Sequence, residues 1–448
     1  MFIIKKKLLF LRREIFESMN DYKKRIAEQN LADQLDAMGA VLIEGPKYCG
    51  KTTMAFQQAN SVLFMSDSDN KDQNLALART NIRKLLEGET PRLIDEWQLA
   101  PQFWDAVRNE VDRRNADGQF ILTGSAVPSR PTNEDEKIFH TGTGRISRLK
   151  LRTMSLYESG ESTGDVSLSS LFEDAEKVEG TSHITLDELA FLVCRGGWPK
   201  ATLKENPKAA LLQAKQYYKT VVGLDISRAD GVERNEELAK RLMRSYARNQ
   251  GSQATLGTIL ADLKNNEEET LTEYTIYSYI NALKKIFVIE DSLAWNPNLR
   301  SKTAIRSSDT RYFTDPSIAT AALGIGPKDL INDLNTFGLM FETLAVRDLR
   351  VYADAMDGTV YHYRDKNNLE CDAVVHLENG SYGLIEIKIG GAQLVREGAS
   401  TLIELANKLD TTKMKKPSFL MVLTGIGDSA YKRPDDGVLV VPIGCLKN

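Results

Sequence analysis

An α/β chain of several modules is predicted, and three observations predict it. Short apolar runs recur between helical stretches from Val41 to Leu122, as buried parallel strands do. A glycine-rich turn, residues 45–52, joins the first of these runs to a helix. Towards the other end, alternating runs at 360–364, 371–377 and 382–388 read as paired strands followed by a helix. At 448 residues the chain exceeds one ordinary core, so two to four domains are expected. The boundaries fall at 1–30 (a basic arm and helix start), 31–175 (the parallel-sheet core) and 176–235 (a helical connector). They continue with 236–325 (a three-helix unit with a hairpin) and 326–448 (a second α/β domain).

Composition excludes several classes. With 42% hydrophobic and 27% charged residues the chain is a folded, globular one. A net charge of −4 gives no bulk attraction to nucleic acid, so any such surface is a local patch. The four cysteines (Cys49, Cys194, Cys371, Cys445) form no C-x-x-C pair, which argues against a zinc site or disulfide framework and fits a reducing cytoplasm. The apolar runs of Met1–Arg13 are short and broken by lysine, unlike a secretory leader. Nothing approaches the ~20 apolar residues of a membrane span.

The turn itself is Gly45-Pro46-Lys47-Tyr48-Cys49-Gly50-Lys51-Thr52, with Thr53 opening the helix. It has the G-x-x-x-x-G-K-T form in its proper strand–loop–helix setting. Glycines let successive N–H groups face a triphosphate, and the helix start adds partial positive charge. Lys51 is expected at the β- and γ-phosphates of ATP and the Thr52 hydroxyl on Mg²⁺. Cys49 reads as a small filler that could make the site sensitive to thiol reagents. A later run, Arg92-Leu93-Ile94-Asp95-Glu96, ends in two acids: Asp95 to hold Mg²⁺ through water, Glu96 to orient or deprotonate the attacking water. Thr123 or Ser125, after the next strand, senses the γ-phosphate or only caps a turn. Arg145 acts on transition-state charge, in cis or across a subunit boundary, or belongs to a solvated hairpin.

Arg92–Gln98, Phe120–Ser125, Gly144-Arg145-Ile146 and Met154–Glu158 together resemble one prokaryotic group, from about Leu31 to the end of the chain. These are the AAA+-like P-loop ATPases whose C-terminal region is a domain of unknown function. The resemblance implies an AAA-type parallel sheet with the phosphate loop after its first strand, and it supplies no substrate.

Ser159–Ser170, rich in serine and glycine, reads as a flexible surface connection. Thr185 and Glu188 form a capping box, and Gly196-Gly197-Trp198-Pro199 matches a turn of the same family. Between 236 and 320, three helices and two strands around Trp295 read as a winged helix, with Arg300, Lys302, Arg306 and Arg311 at its wing. DNA is the expected partner of such a unit. The rival is a packing module that transmits nucleotide state.

Asp372 begins one late strand, and Glu386 and Lys388 end the next, after a helical acid at Glu342. This is the D…E-x-K order of restriction-endonuclease-like (PD-(D/E)XK) nucleases. Residues two apart on a strand share a face, so Glu386 and Lys388 point together towards Asp372. Two carboxylates, Asp372 and Glu386, suit Mg²⁺ at a scissile phosphate, and Lys388 can position water. The expected whole is an ATP-hydrolysing switch coupled to a Mg²⁺-dependent nuclease-like domain that acts on DNA, as a possible homo-oligomer. The alternative is a non-catalytic switch whose last domain grips nucleic acid or protein without cutting it.

Overall fold

The computed structural model describes residues 21–124, 143–264, 271–297 and 308–448. The basic arm up to residue 20, Ser125, and Arg300, Lys302 and Arg306 of the expected wing lie outside the described residues.

Five strands form the first sheet: β1 (Ala40–Glu44), β2 (Ser61–Phe64), β3 (Arg92–Asp95), β4 (Phe120–Gly124) and β5 (Ile146–Lys150). They are parallel throughout in the order β2-β3-β4-β1-β5. Alternation along each strand feeds both faces. Val41 and Ile43 pack with Leu31, Met54 and Leu93 on one side. Leu42 packs with Phe103, Val107 and Leu122 on the other. A parallel sheet covered on both faces has its ligand edge at the carboxyl ends of its strands. There Ile43 is in register with Thr123, and Thr123 with Asp95.

The segment expected to be a flexible connection is instead built in. Ser159 and Ser162 are buried, and residues 166–167 form a strand, β6 (Val166–Ser167). β6 pairs with β14 (Leu446–Lys447) at the far end of the chain, and β7 (Gly180–Thr181) joins the edge of the second sheet. Serine and glycine here satisfy buried backbone, as where the Ser162 hydroxyl donates to the Leu446 carbonyl. Local composition does not reveal so distant a partner.

The middle unit has the three expected helices, Glu236–Arg248, Leu256–Leu263 and Glu273–Lys285. Its two strands reduce, among the described residues, to the antiparallel bridges Ile289–Phe313 and Ser292–Thr310. Arg311 is no free phosphate contact, because its guanidinium is spent on Asp291 at 2.9 Å and the Ala254 carbonyl at 3.0 Å.

The second sheet has the order β7-β12-β13-β11-β10-β9-β8. Its strands are β8 (Gly358–Arg364), β9 (Glu370–Leu377), β10 (Tyr382–Lys388), β11 (Phe419–Thr424), β12 (Ser429–Lys432) and β13 (Leu439–Pro442). A helix of 21 residues, Leu334–Asp354, precedes it and starts well before the Phe341 expected from sequence. Helix Ala392–Lys408 crosses from β10 to its parallel neighbour β11. A single apolar cluster runs from Leu156 to Leu446 and crosses the expected boundaries at 175, 235 and 325, so the later modules share one core.

Candidate functional site

The first site grows out of the end of β1. Gly45 has φ +154°, and a Cβ there would lie 2.1 Å from the Leu151 carbonyl oxygen, so only glycine fits. The chain curls and enters helix Lys51–Gln58 through Gly50 at φ +98°. The first N–H groups of that helix lack intrahelical partners and face the cradle. Lys51 is buried, and its ammonium donates to the Gly45 carbonyl at 3.0 Å and the Pro46 carbonyl at 2.8 Å. The loop therefore folds around its own cation.

Asp95, buried at the tip of β3, is the meeting point of two hydroxyls. Thr52 Oγ1 and Thr123 Oγ1 each donate to Asp95 Oδ1 at 2.6 Å. A hydroxyl and a carboxylate side by side are a donor set that fits a hard cation such as Mg²⁺. Thr123 thus has a definite partner at the site. Glu96 follows at φ +57°, and the Gln98 amide donates to its carboxylate. Burial first, and then the charge of Asp95, raise its pKa against the pull of Lys51 and Gln98. A carboxylate with raised proton affinity suits a general base.

Thr53 lines a cavity of about 470 Å³ beside the loop, with Tyr22, Phe56, Phe64, Pro199 and Leu203 among its walls. That size is within the range of small-molecule sites, about 300–1,000 Å³. Cys49 is fully buried, with Sγ donating to the Leu151 carbonyl at 3.3 Å, so a thiol reagent has no path to it in the folded chain. Tyr48, 62% exposed at φ +64°, turns away from the cradle and sets its ring edge-on to Tyr217. Lys47 likewise leaves the cradle, for Asp225 at 2.5 Å.

Arg145 falls at the end of the sheet opposite the phosphate loop. Its carbonyl accepts from Ala40 N–H at the start of β1, so the whole strand, roughly 15 Å, separates it from the loop. Its guanidinium pairs with Asp112 at 2.8 Å. That exposed pair is what the solvated alternative expects of this arginine, and its placement gives no support to action in cis.

The second site is on β10, between β9 and β11. The antiparallel register sets Ile385 opposite Ala373 and so brings Glu386 beside Asp372. Lys388 Nζ is 2.6 Å from Glu386 and 3.2 Å from Asp372, and the Ile387 N–H donates to Asp372 at 2.7 Å. Burial, then the charge of Asp372, raises the Glu386 pKa. For Lys388 the two carboxylates outweigh burial and raise it. Both carboxylates reach one cationic point, so the pair fits a single cation, and Lys388 holds that place here. Glu342 adjoins them electrostatically, and its carboxyl pKa is raised by burial and by Asp372. Its direct partner is the hydroxyl of Tyr312, which comes from the middle unit. Among the described residues no group of three or more His, Cys, Asp or Glu side chains could hold a metal ion.

Sequence reasoning missed Arg25, whose buried guanidinium donates to the Cys49 carbonyl at 2.9 Å, the Arg152 carbonyl at 2.9 Å and Glu158 at 3.0 Å. It also missed Asp225 and the aromatic walls of the cavity. Pro199 follows the Gly-Gly-Trp turn, and that turn was the one available signal for the cavity.

A family profile described as AAA domain matches residues 38–160. Profiles of two domains of unknown function match residues 186–329 and 337–446. Uncharacterized proteins of Mycobacterium tuberculosis and Mycobacterium bovis are each 22% identical to this chain over 389 residues, 86% of this chain and 78% of theirs. Among solved structures, a Walker-type ATPase of Pyrococcus abyssi overlaps 67% of this chain and 96% of its own, at 15% identity and a TM-score of 0.41. The ORC1 protein of Aeropyrum pernix, in complex with DNA, covers 70% of this chain and 94% of its own, at 13% identity and a TM-score of 0.25. Neither overlap is close enough to speak for this chain. The AAA domain and its phosphate loop make the protein an ATPase. Among the described residues no helix is long and apolar enough to cross a membrane.

Proposed function

We propose that ATP turnover at the phosphate loop controls a C-terminal domain that cuts DNA in a Mg²⁺-dependent reaction. In the ATPase domain, the backbone N–H groups from Lys47 to Thr53 cradle the phosphates and Lys51 leaves its carbonyls for them. Thr52 and Asp95 would hold Mg²⁺, which supplies charge neutralisation on the phosphates when bound. Glu96 takes the proton of the attacking water. The adenine ring of ATP lies against Phe56, Phe64 and Pro199 of the adjoining cavity. Arg145 acts, if at all, across a subunit boundary in a homo-oligomer.

One observation carries the nuclease reading: Asp372, Glu386 and Lys388 converge on one point. The sequence of elements around it is helix, three strands, helix, strand, with β10 and β11 parallel. That arrangement is the one expected of a PD-(D/E)XK core. Asp372 and Glu386 would hold Mg²⁺, which supplies Lewis-acid activation of the scissile phosphate. Lys388, released from the carboxylates, would orient water, with Glu342 beside it. The middle unit, read as a winged helix, presents the duplex.

A second reading, a switch that grips without cutting, is favoured by the cover over Glu342. Tyr312 bonds to it, and Gly251 sits so close that a Cβ there would be 2.8 Å from its carboxylate. Purified protein incubated with single-stranded, duplex and branched DNA in Mg²⁺ or Mn²⁺ separates the two. Cleavage that Lys388→Ala removes while ATP hydrolysis persists supports the nuclease. Intact DNA with every substrate and both metals supports the switch.

A further inference from the structure

Asp225 is 178 residues from Lys47 in the chain and 2.5 Å from it in space. Its side chain is 5% exposed, while that of Lys47 is 37% exposed. A carboxylate so deeply buried needs a cationic or hydrogen-bonding partner, and Lys47 of the phosphate loop supplies one. Asp225 ends a π-helical turn, Val221–Asp225, that continues helix Pro207–Thr220. Single wide turns of this kind recur at functional sites because they re-aim one side chain. Here the turn aims Asp225 at the loop.

The same helix holds the next loop residue. Tyr48 sits in the left-handed region at φ +64°, a strained conformation for a non-glycine residue. Its ring meets Tyr217 at 6.5 Å, and Tyr217 stacks on Trp198 at 4.2 Å, next to cavity residue Pro199. The tip of the loop is therefore shaped from outside. One ion pair and one aromatic contact, both from the connector, keep Lys47 and Tyr48 out of the cradle in which their own backbone N–H groups must meet phosphate.

We infer that Asp225 is a positioning residue for ATP hydrolysis, acting through Lys47 to hold the phosphate loop open. It does not touch the reacting atoms. Loss of the pair from either side frees the tip of the loop, and ATP must reorder it on binding. The inference rests on the phosphate loop being the nucleotide site.

The test is steady-state ATP hydrolysis by the full chain. Asp225→Asn is expected to raise KM for ATP about tenfold, the worth of one charge-assisted hydrogen bond, with kcat within about threefold. Lys47→Met gives the same split from a partly exposed position, so the prediction survives if Asp225→Asn fails to fold. The double variant is no worse than either single change, since both break one contact. Asp225→Glu, which keeps the charge, recovers most of the loss. Additive losses, or wild-type KM in Lys47→Met, would overturn the inference. A wild type that binds no ATP, with Lys51→Ala indistinguishable from it, would instead remove the nucleotide site itself.

Discussion

Asp315 and Arg347 form an ion pair of 3.1 Å in which neither side chain reaches solvent. Asp315, in the middle unit, also accepts from the Thr153 hydroxyl at 2.7 Å and the Gly197 N–H at 2.9 Å. Arg347, on the long helix before β8, turns its other edge to Asp348 at 2.7 Å, and Asp348 accepts from the Leu156 N–H at 2.9 Å. Burial works against the charge on all three groups. The pairing wins for Asp315, whose pKa is lowered, while burial wins for Asp348, pushed up to about 6. Segments that follow β5, the Gly-Gly-Trp turn, the middle unit and the C-terminal domain thus meet at two neighbouring carboxylates. Residues 153–156 and the long helix before the second sheet are thereby joined through direct contacts to these carboxylates.

Breaking this pair from one side leaves a buried, uncompensated charge. Asp315→Ala and Arg347→Met are each expected to destabilise the chain by about 3–5 kcal/mol. Urea denaturation followed by fluorescence measures this. Losses under about 1 kcal/mol in both variants would show that the junction does not hold the modules together.

The tasks proposed for Lys51 and Glu96 are separable. Lys51→Ala is expected to lose ATP binding, since this lysine is proposed to be the loop's phosphate cation. Glu96→Gln should bind ATP like wild type and hydrolyse it about 10²–10⁴-fold more slowly, the usual worth of a general base. Calorimetry with ATP and a phosphate-release assay read the two effects. Unchanged hydrolysis by Glu96→Gln would move the base elsewhere.

Thiol chemistry should be silent in the folded chain. All four cysteines are buried, and burial pushes the thiols of Cys194 and Cys445 up to about 12. A raised thiol pKa means that the reactive thiolate is scarce below it, so between pH 7 and 9 those two cysteines are protonated as well as covered. A chromogenic disulfide reagent is expected to label no cysteine in native protein and all four in urea, with ATP hydrolysis unaffected by the native treatment. Rapid native labelling of Cys49 with loss of activity would contradict the closed geometry around it.

Gly251 approaches Glu342 too closely for a side chain and has φ +67°. Gly251→Ala therefore combines left-handed strain with a clash against a carboxylate. A destabilisation of roughly 1–3 kcal/mol is expected, read as a lower urea midpoint. A neutral result would mean that the middle unit does not press on this acid.

The parts that could be read from sequence are those in which chemistry is local. The phosphate loop, the Asp95–Glu96 pair and the spacing of Glu386 and Lys388 are patterns of a few residues whose strand and helix setting is visible on either side. Register then did the rest, setting Asp372 beside Glu386 across one hairpin. What stayed hidden depends on pairings over long stretches of chain: β6 with β14, Asp225 with Lys47, Tyr312 with Glu342, Asp315 with Arg347. Arg145 shows the same limit. Its neighbouring glycines suggested reach, but which edge of the sheet it occupied depended on the direction of β5. Serine-rich 159–170 looked solvated because its partners, at 444–448, are written elsewhere.

Coupling between the two ends of the chain is tested most directly by DNA cleavage by wild type and Lys51→Ala, each with and without ATP. Coupling predicts that ATP changes the Mg²⁺-dependent cleavage rate of wild type and leaves that of Lys51→Ala unmoved, although Asp372, Glu386 and Lys388 are intact in both. Cleavage that ignores ATP in wild type, or responds to it equally in both proteins, would contradict it.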